Sequence, residues 1–143
     1  MIYTKLTKKA LKIAYEAHKE QLDKSGLPYI FHPFYLASKM KDEYSICVAL
    51  LHDVVEDSNY TINDLNSAGF PLEVIEAIRI LTYSKDSPYF DYIKEIKNNK
   101  LATIVKIEDL KHNSNLTRLN QITIEDKKRI EKYEKALILL ESS

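Results

Sequence analysis

Residues 50–57 read LLHDVVED, a stretch in which one histidine and three acids alternate with Leu50, Leu51, Val54 and Val55. The leucines and valines have the character of core positions, whereas His52, Asp53, Glu56 and Asp57 are groups that water normally keeps. Burying an ionisable side chain is unfavourable unless it is paired or bound to a metal. Either this segment turns a wet face outward, or the chain assembles a reactive site in it. On a helix His52 and Asp53 diverge by about 100° but share an edge. Glu56 and Asp57 each follow four residues later, one turn along that edge. The stretch therefore offers an imidazole and a carboxylate in one turn, with two more carboxylates just beyond.

Two other segments carry similar chemistry. IFHP (30–33) sets His32 between aromatic and aliphatic residues at a helix start. IEDLKHN (107–113) puts Asp109 in a largely apolar helix, with Asn113 one turn later on the same face. Taken singly, each has an ordinary explanation: a histidine on an apolar face is a hydrogen-bonded core residue, and a buried aspartate is a cap or an ion-pair partner. Three separate helices that each present a hard nitrogen or oxygen donor are harder to dismiss together. Of the remaining histidines, His18 reads as a structural hydrogen-bonder. His112 either orients the Asp109 region from outside the donor set or has no part in it.

The elements that must position these groups are helices. Apolar positions recur at helical spacing from Thr4 to about Leu22, and DKSGLP (23–28) then signals a loop. Helices are expected from Phe31 to Met40 and from Glu43 to Glu56. TIND (61–64) has the pattern of a capping box for a short helix ending near Gly69. Pro71 and Pro88 suit the first turns of helices through LEVIEAIRILT and YFDYIKEIKNN. Two more read as KLATIVKIEDLKHN and EDKKRIEKYEKALILL. TIVKI (103–107) has some β propensity, but the longer apolar pattern favours helix. The expectation is one all-α domain over residues 1–143, a bundle of about seven or eight helices.

Composition narrows the partners. Lys plus Arg and Asp plus Glu balance at 21 each, so no global field favours nucleic acid or an anionic membrane. A small phosphorylated ligand needs only a few local cations and stays open. No apolar run approaches the length of a membrane span, and the N-terminus lacks the hydrophobic core of a signal peptide. The lone Cys47, in SICVALL, reads as a packed core thiol. These features lead us to expect a cytoplasmic protein; a homo-oligomer is left open.

The His…His-Asp…Asp order resembles the signature of the HD superfamily of metal-dependent phosphohydrolases, an all-α fold. HKEQLDKSGLPYIFHP, ALLHDVVEDS, LTYSKD and VKIEDLKHN resemble the hydrolase domain of the RelA/SpoT-type alarmone enzymes, and its free-standing versions, the small alarmone hydrolases, still more closely. The likeness runs from about Ala17 to Leu119. It implies His32, His52, Asp53 and Asp109 as ligands of one divalent metal. Two imidazoles and two carboxylates suit Mn²⁺ best, and such an ion lowers the pKa of its water and polarises a phosphoryl oxygen. The resemblance further implies that Glu56 and Asp57 orient the attacking water and manage its proton, and that Asn113 contacts a ribose.

The nucleotide loop departs from the pattern. The family's usual pair is Arg-Lys, its arginine stacking on guanine; Asp23 stands in that place, while Lys24, Ser25 and Gly26 are retained. An acid offers no guanidinium face. Asp23 either accepts hydrogen bonds from guanine N1 and N2 or selects another base. Lys106 and Arg118 read as phosphate partners or as surface charges. The resemblance implies hydrolysis of the 3′-pyrophosphate of guanosine tetra- or pentaphosphate to GDP or GTP and pyrophosphate. No synthetase-like segment follows the resembling region, so degradation without synthesis is expected. The alternatives are an HD enzyme for another nucleotide or phosphoester, and a non-catalytic nucleotide-binding module.

Overall fold

Side-chain caps set where most of the helices begin. In the computed structural model, which describes residues 1–142, Thr4 and Thr7 close a reciprocal box at the start of α1 (Lys5–His18). Asp42 caps α3 (Glu43–Leu51) by accepting from the Ser45 amide at 2.8 Å. Thr61 with Asp64 starts α5 (Ile62–Ser67), and Thr123 with Asp126 starts α9 (Ile124–Glu141). Each box satisfies amide donors that a helix end leaves without partners. Pro71 and Pro88 stand immediately before α6 (Leu72–Leu81) and α7 (Tyr89–Lys97), and Asn99 caps α8 (Lys100–Asn113). With α2 (Phe31–Ser38) these make eight helices of six residues or more. A four-residue turn of helix, α4 (Val54–Asp57), and a 3-10 turn at Leu116–Arg118 complete the set among the described residues. Among the described residues helix accounts for 67% and strands for none, which is the all-α class that the periodicity predicts.

Two helices differ from expectation. The first stops at His18 rather than near Leu22. The His18 ring pairs with the Gln21 side chain at 2.7 Å, and the Gln21 amide donates to the His18 carbonyl at 2.9 Å. The chain therefore turns, and an isolated bridge between Leu22 and Pro28 closes the DKSG loop, with Gly26 at φ +83°. The helix expected to run unbroken from Glu43 to Glu56 is interrupted at His52 and Asp53. Asp53 has ψ −1°, away from helical values, and His52 Nδ1 donates to the Ala49 carbonyl at 2.6 Å. A continuous helix would offer that carbonyl to the Asp53 amide.

From Ser45 to Leu51 every residue of α3 is buried, the behaviour of a helix that is apolar all round. It packs against α1, α2, α6 and α8, so it is the axis of the core. Burial pushes the Cys47 thiol up to about 12 and keeps it protonated. Contacts among α2, α3 and α8 bring the start of α2, the end of α3 and the last turns of α8 together. Among the described residues, no helix is long and apolar enough to cross a membrane.

Candidate active site

His32 enters from the first turn of α2 and is 2% exposed. Its Nε2 lies 2.8 Å from Asp109 Oδ1, and its Nδ1 lies 2.7 Å from His112 Nδ1. Burial, then the nearby Arg118 and His32, lower the His112 pKa to about 4, so that ring is neutral near pH 7. A neutral His112 can share one proton with His32 Nδ1, which ties the tautomers of the two rings together. His112 itself stacks on Tyr35 at 4.1 Å between centroids.

His52 is held the same way. Because a carbonyl only accepts, Nδ1 carries the proton in its bond to Ala49, and Nε2 faces inward. Nε2 is 2.9 Å from Asp53 Oδ2 and 3.4 Å from Asp109 Oδ1. Despite those distances it is fully enclosed and has no geometrically acceptable hydrogen bond among the described residues. An orphaned ring nitrogen surrounded by carboxylate oxygens is a place suited to a cation.

Donor atoms of His32, His52 and Asp109 lie within 4.8 Å of one another, and so do those of Asp53, Glu56 and Asp57. Asp53 thus sits at the border, touching the His52 ring while belonging by distance to the acidic group. The Tyr29 hydroxyl donates to its Oδ2.

The charges reinforce this picture. Burial alone would keep His52 neutral, but Asp53 and Asp109 outweigh it and push its pKa well above the ordinary histidine value. Burial opposes ionisation of Asp109 as well, yet Lys106 and the two histidines hold it well below the usual carboxylate range. Asp53 is held at about 2, against burial, chiefly by His52. The point where these atoms meet therefore favours positive charge, which a divalent ion supplies more fully than a proton.

Glu56 and Asp57 line the same cavity, about 270 Å³ in volume. Burial raises the pKa of both, and the Asp53 charge adds to the effect. Glu56 Oε1 also accepts from the Tyr83 amide at 2.8 Å, which partly offsets the rise. Lys106 is not a surface charge: its side chain is 14% exposed and its Nζ lies 2.9 Å from Asp109 Oδ2.

A second cavity of about 330 Å³ adjoins the first, and Tyr29, Asn113 and Tyr133 line both. Asp23, Lys24, Ser25 and Arg118 surround it. Asp23 Oδ1 accepts from the amides of Ser25 (2.8 Å) and Leu27 (3.0 Å), so it organises its own loop. Its Oδ2 lies 4.0 Å from the Arg118 guanidinium. The Ser25 hydroxyl donates to the Arg118 carbonyl, and Lys24 reaches Asp126 at 3.4 Å. Asn113 donates to Asp109 Oδ1 at 3.1 Å and accepts from Arg118 at 3.1 Å, linking the two cavities. Arg118 also donates to the His112 carbonyl at 2.9 Å, so it too is built in rather than a loose surface charge. A larger groove of about 650 Å³ between α1 and α2 has mostly apolar walls and no cluster of ionisable groups.

His18 is buried behind Tyr29, with ring centroids 4.9 Å apart, and it pairs with Gln21. Residues the motifs did not single out also reach the site: Tyr29, Tyr83, Tyr89, Tyr92, Tyr133 and Lys132. The one hint was composition, ten tyrosines against four phenylalanines and no tryptophan.

An all-helical fold with two buried histidines and two carboxylates at the head of a polar cavity is consistent with an HD-type hydrolase domain. Known proteins narrow the class. No family model matches the chain. It is 40% identical to a probable guanosine-3′,5′-bis(diphosphate) 3′-pyrophosphohydrolase of Synechocystis, over 41% of this chain and 8% of that one. It is 31% identical to a GTP pyrophosphokinase of Myxococcus xanthus, over 74% of this chain and 15% of that one. These matches thus span only a small part of the curated relatives' length. A solved structure described as a metazoan ortholog of SpoT that hydrolyses ppGpp superposes with a TM-score of 0.77, covering 98% of this chain and 87% of that one. At 22% identity that likeness shows the shared fold. In sequence and fold together, the chain is similar to the RelA/SpoT family of ppGpp 3′-pyrophosphohydrolases.

Proposed function

We propose that this chain is a divalent-metal-dependent hydrolase that removes the 3′-pyrophosphate of guanosine tetra- or pentaphosphate, giving GDP or GTP and pyrophosphate. The observation that carries the reading is the orphaned His52 Nε2, enclosed with Asp53 and Asp109 at the junction of two polar cavities. His32, His52, Asp53 and Asp109 would hold the ion, and this mixture of imidazole and carboxylate donors suits Mn²⁺. When bound, it supplies Lewis acidity toward a phosphoryl oxygen and makes water more acidic.

The chain's own residues do the rest. Water adds to the phosphorus on the 3′ oxygen, the bond between them breaks, and the 3′ oxygen leaves as a hydroxyl. The proton lost by water passes to Glu56 or Asp57, whose raised pKa values make them better proton acceptors than an exposed carboxylate, and one proton is returned to the departing 3′ oxygen, so that the step balances. Asn113, already joined to Asp109 and Arg118, stands where a ribose would bridge the two cavities. The nucleoside end occupies the cavity of Asp23, Lys24 and Ser25. One Asp23 oxygen is committed to its loop, and the other, 4.0 Å from the Arg118 guanidinium, can also accept from the N–H edge of a base.

Purified protein with Mn²⁺ and guanosine tetraphosphate should release pyrophosphate, and Asp53→Ala should abolish the release. No release above that control overturns the substrate assignment. A second reading, hydrolysis of another nucleotide or phosphoester at the same centre, is favoured by the acid at position 23. A panel of nucleotides with Mn²⁺ separates the two by which one turns over fastest.

A further inference from the structure

The end of the catalytic cavity beside α7 and α9 is walled by Tyr83, Tyr89, Tyr92 and Tyr133, whose rings none of the roles above uses. Tyr83 and Tyr89 meet edge to face at 6.0 Å, and Tyr83 and Tyr92 lie 4.8 Å apart. Two of the four hydroxyls are committed to the backbone: Tyr83 donates to the Ser87 carbonyl and Tyr92 to the Leu81 carbonyl. The Tyr89 hydroxyl is enclosed and has no partner among the described residues. Buried hydroxyls nearly always have one. Lys132 of α9 also lines this cavity, its Nζ 4.4 Å from the centroid of the Tyr89 ring and 5.8 Å from that of Tyr133. Among the described residues it takes no carboxylate partner, unlike Lys106, which is bound to Asp109.

Charge makes the pairing purposeful. Asp53, Glu56, Asp57 and Asp109 all line the cavity, a surrounding that repels a polyanion. A phosphate that passes the metal-ligand cluster into this end needs a cation and a donor to receive it. We propose that the Lys132 ammonium and the Tyr89 hydroxyl bind the terminal phosphate of the 3′-diphosphate, the phosphate beyond the one that water attacks. They then select a 3′-diphosphate over a 3′-monophosphate as the group transferred to water. This inference rests on the hydrolase reading above and adds the residues that set specificity for the 3′-diphosphate.

Lys132→Gln and Tyr89→Phe, checked for unchanged melting temperature, test it. Each variant should lose about tenfold or more in kcat/KM on guanosine 5′-diphosphate 3′-diphosphate, the scale of a hydrogen bond to a charged group. Each should change less than about twofold on the matching 3′-monophosphate, which offers no terminal phosphate to lose a contact. Equal losses on both substrates, or none on either, overturn the inference and leave the hydrolase reading standing. Calorimetric binding of inorganic pyrophosphate is independent of turnover. Weakening in both variants supports the site even if the wild-type protein releases no pyrophosphate, the result that would sink the hydrolase reading alone. Pyrophosphate affinity equal to wild type in both variants overturns the site.

Discussion

The Ala49 carbonyl and the Tyr29 hydroxyl show how much of this site is set by groups outside the candidate donor set. The Ala49 carbonyl holds the His52 ring by Nδ1, and the Tyr29 hydroxyl holds the Asp53 carboxylate. Such supporting hydrogen bonds orient ligands, and losing one typically weakens metal affinity or activity by roughly 10–100-fold. Tyr29→Phe should therefore lower metal affinity on that scale in a chelator competition titration, while the helical circular dichroism stays unchanged. The acids make a second prediction. Burial raises Glu56 and Asp57, so both lose their proton-accepting form at a higher pH than an exposed carboxylate does. The acidic limb of the kcat/KM profile should lie above the usual range of about 4, and a limb at the ordinary position would count against either acid as the acceptor. The sign for stability is the reverse. A carboxyl whose pKa is raised by folding opposes folding once it ionises, and the penalty disappears as pH falls below the unfolded value. Glu56→Gln should then unfold at a higher temperature than wild type at pH 7 in the presence of chelator, although it loses activity.

At the scale of elements, α3 ties stability to chemistry. Its burial on every side positions the His52–Asp53 break, since a helix that cannot rotate or slide delivers its last residue to one place. Leu50 is fully buried two residues before His52. Leu50→Ala should destabilise the protein by about 2–5 kcal/mol in denaturant unfolding, the cost of lost transfer energy plus the residual cavity. The break itself was not legible locally. VALLHDVVED has continuous helical character, and the competition between the His52 ring and the Asp53 amide for one carbonyl arises only when the ring is packed in place. The early end of α1 has the same kind of cause, because Gln21 also donates through its side chain to the Asp57 carbonyl at 2.8 Å.

For the whole molecule, the proposed metal site would join helices that are distant in sequence, so binding an ion there would be coupled to folding. A ligand that binds only the folded state stabilises it by about 2.7 kcal/mol at a hundredfold excess over its Kd. Added Mn²⁺ should raise the melting temperature of the wild-type protein in calorimetry, and chelator should reverse the shift. His32→Ala should show little response to either. An equal rise in His32→Ala would mean that the ion acts elsewhere on the protein.

The sequence by itself determined the helical class, where most helices start and the candidate donor residues, because each depends on interactions within a few positions. Periodicity locates the buried faces, and Thr61 with Asp64 is a capping box in one dimension as in three. His32, His52 and Asp109 were visible as polar residues misplaced in apolar segments. Only the tertiary structure decided that Asp53 stands between the histidines and the acids, that Lys106 is enclosed against Asp109, and that Asp23 spends one oxygen on its own loop. It alone gathered tyrosines from the Asp23 loop region, the segment after α6, α7 and α9 around one cavity. Which side chains converge depends on how helices cross, and crossing angles are set by packing over the whole core rather than by any short window of sequence.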